Sequence, residues 1–165
     1  MSNQVESRNQ VYVSFDARSV NEGFARMVIM GFMVDMNPTM DELADVKTAV
    51  SEAVTNAIIH GYEKDGAQER EGKSVSEGKI PQVEMRCQRV GQKLTICIED
   101  HGVGIVDIEE ARQPFFTTKS DMERSGMGFS FMESFMDELE IFSQPGVGTR
   151  VIMHKYIASK ESGGQ

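Results

Sequence analysis

This 165-residue chain has few cysteines, no long apolar run and fewer basic than acidic residues. Its two cysteines, Cys87 and Cys97, lie in apolar, strand-like runs without metal-ligand spacing, so we expect buried free thiols rather than a disulfide or a zinc site. A membrane span needs roughly 20 apolar residues, which the chain lacks, and its polar start is no signal peptide. We therefore expect a cytoplasmic protein without membrane contact. The net charge of -9 disfavours direct binding to nucleic acid.

The length of the chain supports a single domain over residues 1–165, since a chain of this size can bury a sizeable core. Residues 63–79 are charged, contain glycine and have almost no apolar side chains, which predicts a mobile loop. Residues 159–165 have the composition of a frayed tail. Alternating apolar positions predict strands near residues 11–15, 83–87, 94–98, 139–142 and 151–156.

Helical spacing of apolar residues predicts a helix over residues 21–36, which ends before Pro38. A second helix is expected to begin at Thr39, because Glu42 three residues later completes a capping-box pattern. The first helix carries a stripe of methionines. Such stripes usually fill cores, and an adaptable surface for dimerisation is the minor alternative. The stripe consists of Met27, Met30, Met33 and Met36.

The second helix places Glu52 and Asn56 on one face, because residues four apart are neighbours on a helix. Its apolar positions form a different stripe that should face the core. That stripe consists of Leu43, Val46, Val50, Ala53, Val54, Ala57 and Ile58. A carboxylate can take a proton from a hydroxyl, and an amide oxygen can help ligate Mg²⁺ beside phosphates and water. The pair is a candidate for Mg-nucleotide chemistry, although such pairs are common on solvated helix faces.

Three glycine-containing segments follow in order. Asp100 ends an apolar run, precedes two glycines and could accept a hydrogen bond from an adenine amino group; an ordinary turn is the alternative. Residues 125–129 are glycine-rich and precede a helical pattern, so their backbone N–H groups could face phosphates. Residues 146–149 open the last apolar stretch. The hydroxyl of Thr149 could form a hydrogen bond with the adenine base. The alternative for this segment is an ordinary hairpin turn.

In this order and spacing the segments resemble the Bergerat-type ATP-binding fold of gyrase, Hsp90 chaperones, mismatch-repair ATPases and histidine kinases. Within that superfamily, residues 51–62, 114–119 and 123–129 resemble the anti-sigma F family of sporulation regulators. This resemblance runs from about Tyr12 to Lys155. It implies an α+β two-layer sandwich in which helices cover a mixed, mainly antiparallel sheet.

The resemblance also implies ATP and Mg²⁺ as cofactors and a homodimeric protein serine kinase with two kinds of partner. One is sigma factor F, which such proteins bind and inhibit. The other is an anti-anti-sigma factor, whose serine they phosphorylate. By the same resemblance Glu52 is the catalytic base, Asn56 the Mg²⁺ ligand and Arg26 a partner-binding residue.

A nucleotide lid is expected over residues 105–125, where hydroxyls and cations suited to phosphates are present. The remaining nucleotide-binding residues that the resemblance implies are Asp100, Gly102, Gly104, Thr117, Thr118, Lys119, Arg124, Ser125, Gly126, Met127, Gly128 and Thr149.

Two classes of function stay open. A sensor histidine kinase would need a phosphoacceptor histidine on the upstream helix, which has none, so the acceptor must belong to another chain. One class is a protein serine kinase that is also an anti-sigma factor, either of sporulation or of general stress. The other is a binding module that uses ATP only as a structural ligand. Glu52 favours the kinase, since a purely structural site needs no base.

Overall fold

The computed structural model describes residues 7–62, 80–113 and 128–158. The helices and strands within these ranges are β1 (Arg8–Asp16), α1 (Val20–Met33), α2 (Met40–Asn56), β2 (Gln82–Val90), β3 (Lys93–Asp100), α3 (Ile108–Arg112), α4 (Gly128–Phe135), β4 (Glu138–Gln144) and β5 (Gly148–Tyr156). The predicted loop 63–79 and tail 159–165 lie outside the described residues, as does the lid beyond residue 113. Across the described ranges, no helix is long and apolar enough to cross a membrane.

The strands form one sheet in the order β1-β2-β3-β5-β4, and every neighbouring pair is antiparallel. Successive side chains of a strand point to opposite faces, so the alternating apolar pattern buries one face only. On that face Met85, Ile96 and Met153 are fully buried against the helices. The expectation of an α+β sandwich is confirmed, and within the described residues the sheet is entirely antiparallel rather than mixed.

The turn between the first two helices follows the sequence pattern closely. The α-helix α1 ends at Met33 and continues as a single 3₁₀ turn, Val34–Met36. Asn37 then takes a left-handed conformation with φ of 53°. The capping box starts α2: the Thr39 hydroxyl accepts from the Glu42 N–H at 3.1 Å, and the Glu42 carboxylate accepts from the Thr39 N–H at 2.7 Å. Such caps contribute about 1 kcal/mol each.

The core stripe of α2 is buried as predicted, from Val46 to Val54, and continues into a π-helical turn at Ala57–Gly61. Because a helix cannot bury all its faces against one sheet, this packing leaves Glu52 and Asn56 half-buried at the edge of the core. The π-helical turn was not predicted. Such turns are frequent at functional sites.

The two cysteines lie on opposite faces of the sheet, and the methionines of the first helix differ in burial. Cys87 is buried in the core, and burial raises the pKa of its thiol to about 12. Cys97 lies on the opposite face and is only half-buried, so the prediction of a buried thiol is wrong for this residue. The methionine stripe divides as well: Met33 and Met36 are buried, whereas Met27 is 67% exposed.

Candidate active site

Glu52 and Asn56 lie one helical turn apart near the end of α2, and the first residue of α4 packs directly against both. A Cβ atom built on Gly128 would lie 3.0 Å from Asn56 Nδ2 and 3.3 Å from Glu52 Oε2. Glycine therefore lets the start of α4 approach the two polar side chains closely. A helix N-terminus with its backbone N–H groups favours anions, so phosphates would suit this corner.

Glu52 is the residue predicted to act as a base. Its carboxyl is half-buried, and this loss of solvent raises the pKa above its ordinary value; the negative charge of Glu22 acts in the same direction. A raised pKa makes the carboxylate a stronger proton acceptor. The role of catalytic base, which the family resemblance implies for this residue, stays a prediction.

Asp100 occupies the last position of β3 and is buried, with 5% of its surface exposed. Burial raises the pKa of its carboxyl to about 6, while hydrogen bonds from the N–H groups of Gly102 and Thr149 act in the opposite direction. Its Oδ1 atom accepts from Gly102 N at 2.9 Å. The carboxylate is therefore held in a fixed orientation, as recognition of a base requires.

The loop after Asp100 is fixed by close backbone packing. A Cβ atom on Gly102 would lie 1.7 Å from the carbonyl oxygen of Gly61, and one on Gly148 would lie 2.1 Å from the carbonyl oxygen of Asp100. Gly104 has φ of +72°, and its Cβ position is 2.2 Å from the Gln144 carbonyl oxygen. Only glycine fits such approaches, so these residues shape the loop rather than merely permit a turn.

Thr149 is directly paired with Asp100 across β3 and β5, so both side chains lie on the same face of the sheet. The Thr149 hydroxyl lies 2.8 Å from Ser143 Oγ. Ser143 in turn accepts from the N–H of Ile105 at 2.7 Å. Sequence reasoning missed Ser143, because nothing local marks a serine in an alternating strand as the residue that holds the next loop.

Arg26 lies on α1, close to the end of the site that carries Glu52. Its guanidinium forms an ion pair with Glu22 one turn earlier and contacts Ser51 Oγ at 3.3 Å. The side chain is 37% exposed, so it can reach a partner protein. Glu22 was also missed, although its spacing of four residues from Arg26 is a recognisable signal for an ion pair.

The other predicted phosphate contacts lie outside the described residues. They are Thr117, Thr118, Lys119, Arg124, Ser125, Gly126 and Met127. The site that the structure brings together consists of Glu52, Asn56 and Gly128 at one end and of Asp100, its glycine loop and Thr149 at the other.

The residues present suit Mg²⁺ only as a partner of phosphate. Among the described residues, no group of three or more His, Cys, Asp or Glu side chains could hold a metal ion. Mg²⁺ usually keeps several waters and takes one or two protein oxygens plus substrate phosphates. The Asn56 amide, beside the glycine at the start of α4, could supply the one protein oxygen that such a site needs.

Comparison with known proteins identifies the family to which this fold belongs. The model of the histidine kinase-like ATPase domain family matches residues 13–155. A crystal structure of the RsbU and RsbW domains of a Mycobacterium tuberculosis protein superposes with a TM-score of 0.58 at 16% identity, covering 90% of this chain and 32% of that one. This likeness supports the fold alone. Fold and site together define an ATPase domain of the histidine kinase-like class.

Similar proteins show to which family within this class the chain belongs. The anti-sigma F factor of Clostridium perfringens strain SM101 is 48% identical over 148 residues, 89% of this chain and 96% of the relative. That of Geobacillus kaustophilus is 48% identical over 155 residues, 94% of this chain and 97% of the relative. That of Bacillus subtilis strain 168 is 45% identical over the same shares. The chain belongs to the anti-sigma F factor family.

Proposed function

We propose that this chain is an anti-sigma factor that binds and inhibits sigma factor F and uses ATP to phosphorylate a serine of an anti-anti-sigma partner. The observation that carries the kinase activity is the half-buried Glu52 carboxylate beside Asn56 and the glycine that opens α4. The names of the relatives support the binding of sigma factor F. They also favour a sporulation regulator over a general-stress one.

In the proposed reaction the Glu52 carboxylate takes the proton of the partner's serine hydroxyl. The serine oxygen forms a bond to the γ-phosphorus of ATP, the bond from that phosphorus to the bridging oxygen breaks, and ADP leaves. The proton on Glu52 then passes to solvent. Lys119, Arg124 and residues 126–128 are proposed to neutralise the transferred charge.

The residues around Asp100, at the other end of the site, are proposed to recognise the base of the nucleotide. Asp100 accepts from the adenine amino group, Thr149 bonds the base, and Gly102 and Gly104 let the backbone approach it. Asn56 would hold Mg²⁺, which screens the charge of the phosphates when bound. Support comes from the fixed orientation of Asp100 and from its direct pairing with Thr149.

We also propose that the protein works as a homodimer in the cytoplasm. Phe24 and Met27 expose large apolar side chains on the outer side of α1, which a protein partner would cover. Sedimentation of the purified chain measures its mass directly. A monomer at micromolar concentration would contradict this part of the proposal.

The experiment that tests the kinase is transfer of labelled phosphate from ATP to the anti-anti-sigma protein by Glu52→Gln. Loss of a positioned base should lower the rate by roughly 10²- to 10⁴-fold, while nucleotide binding stays nearly unchanged. The matched control is Glu140→Gln, which removes an exposed carboxylate of β4 beside His154. Near-normal transfer by Glu52→Gln would show that the chain uses ATP without this base, as a binding module would.

A further inference from the structure

Tyr62 follows the π-helical turn and is buried, with its hydroxyl lying between two strands. The hydroxyl donates to the carbonyl oxygen of Gln82 at 2.6 Å. It also accepts from the backbone N–H of His101 at 2.8 Å. One side chain thus satisfies a backbone acceptor of β2 and the backbone donor that directly follows β3.

The two backbone groups that Tyr62 joins would form the next step of the β2–β3 ladder. The antiparallel register ends at Val83 opposite Asp100, so Gln82 would face His101 if the ladder continued. A direct ladder hydrogen bond joins N and O at about 2.9 Å. With the hydroxyl inserted, each backbone group bonds to Tyr62 instead. The chain therefore leaves the sheet directly after Asp100.

The loop that begins at His101 is also attached to the residue that precedes Tyr62. The carbonyl oxygen of Gly61, which precedes Tyr62, accepts from the N–H of Val103 at 2.8 Å. Between these two attachments the Asp100 carboxylate accepts from Gly102 N at 2.9 Å. Gly61 and Tyr62 follow the helix that carries Asn56. Together they hold the loop after Asp100 at two points, His101 and Val103.

We propose that Tyr62 is a positioning residue for recognition of the nucleotide base: its hydroxyl ends the β2–β3 ladder and thereby sets the direction in which Asp100 faces adenine. The residue acts through the backbone of His101 and touches no nucleotide. This inference rests on the proposed function, in which Asp100 binds the adenine of ATP.

The test is the affinity of Tyr62→Phe for ADP and for GDP, measured by calorimetry beside the unaltered chain. Phenylalanine keeps the buried ring and removes both hydrogen bonds of the hydroxyl, so the loop after Asp100 loses one of its two attachments. Loss of a hydrogen bond to a buried group is worth roughly a tenfold change in affinity. We expect ADP binding to weaken about tenfold and GDP binding to stay the same. The rate of phosphate transfer at saturating ATP should be unchanged.

The matched control is Tyr156→Phe, which removes the hydroxyl of an exposed tyrosine on β5. A merely structural role for Tyr62 would lower the melting temperature without changing the ratio of the two affinities, and that result would overturn the inference. If the unaltered chain shows no preference for ADP over GDP, the proposed function fails instead. The two failures are therefore distinguishable.

A second measurement needs no substitution and covers the case in which Tyr62→Phe does not fold. Hydrogen exchange of the His101 amide in the unaltered chain reports the bond to the Tyr62 hydroxyl. We expect this amide to be protected in the free protein and to exchange more slowly still with ADP bound, because the ligand holds the loop in place. Rapid exchange that ADP does not change would contradict the proposal.

Discussion

Arg26 contacts the hydroxyl of Ser51, the residue that precedes Glu52 on α2. A partner protein that engages this guanidinium would therefore approach the side of the site where the proposed base lies. Recognition of the partner and access of its serine to Glu52 are then served by one surface.

Charge reversal at Arg26 tests that arrangement. Arg26→Glu removes the cation that an acidic group of a partner would meet and places a second carboxylate beside Glu22. We expect binding of sigma factor F and of the anti-anti-sigma protein each to weaken by roughly 30-fold or more, as for a hot-spot residue, while ATP binding persists. Titration with each of the three ligands measures this. Arg150→Glu, which reverses an exposed charge paired with Glu99 on the other face of the sheet, is the control.

We propose that both partners contact Arg26, so each should exclude the other from the chain. Intact binding of both proteins to Arg26→Glu would refute the assignment of this residue. Loss of ATP binding in the same variant would show that Arg26 supports the fold of the site instead.

Asn56→Ala should weaken the binding of ADP only in the presence of Mg²⁺. The amide oxygen is the protein ligand proposed for the ion, and the phosphates and water would supply the rest of its shell. Calorimetry with Mg²⁺ and again with a chelator separates the two conditions. Asn9→Ala, at an exposed position of β1, is a control for loss of an asparagine. Equal weakening with and without Mg²⁺ would mean that Asn56 contacts the nucleotide directly.

Asp100→Asn should have opposite effects on ligand binding and on stability. Burial raises the pKa of this carboxyl from 3.8 to about 6, so the folded protein holds the proton more tightly than the unfolded chain does. The resulting stabilisation is complete below pH 3.8 and is lost as the pH rises through about 6. At pH 7 the buried, ionised carboxylate therefore costs on the order of 2–3 kcal/mol in the free protein.

Asparagine does not ionise, so Asp100→Asn should raise the free energy of unfolding at pH 7 by up to that amount and have little effect near pH 4. Urea unfolding at the two pH values measures the difference. The preference for ADP over GDP should fall in the same variant, because the amide no longer offers a charged acceptor to adenine. An unchanged base preference would refute the role of Asp100.

Much of the site could be predicted from the sequence because its residues lie on a regular helix. The 3.6-residue period of α2 separates the core stripe from Glu52 and Asn56, and the capping box at Thr39 fixes where that helix begins. Contacts between distant segments could not be read in this way. The hydrogen bond from His101 to Tyr62 joins residues 39 positions apart, and no local period specifies it.

The partial exposure of Cys97 shows a second limit of prediction from the sequence. Alternation within a strand shows which side chains share a face, but it does not reveal whether a second layer covers that face. Cys87 points to the helices, and Cys97 lies opposite Arg86 on the other side. The five-residue helix α3 was missed because it is too short to display a period.

The order of the strands has a consequence for how the chain folds. The pairs β2–β3 and β4–β5 are joined by short turns, whereas β1 pairs with β2 through contacts such as Asp16 opposite Gln82, 66 residues away. Closing a long loop costs more entropy than closing a hairpin, so local pairs form sooner. We therefore expect β1 to join the sheet last, carrying α1 and Arg26 with it. Pulse-labelled hydrogen exchange during refolding would show the amides of β1 protected after those of the two hairpins, and a refolding chain would thus acquire its nucleotide loop before its proposed partner-binding surface.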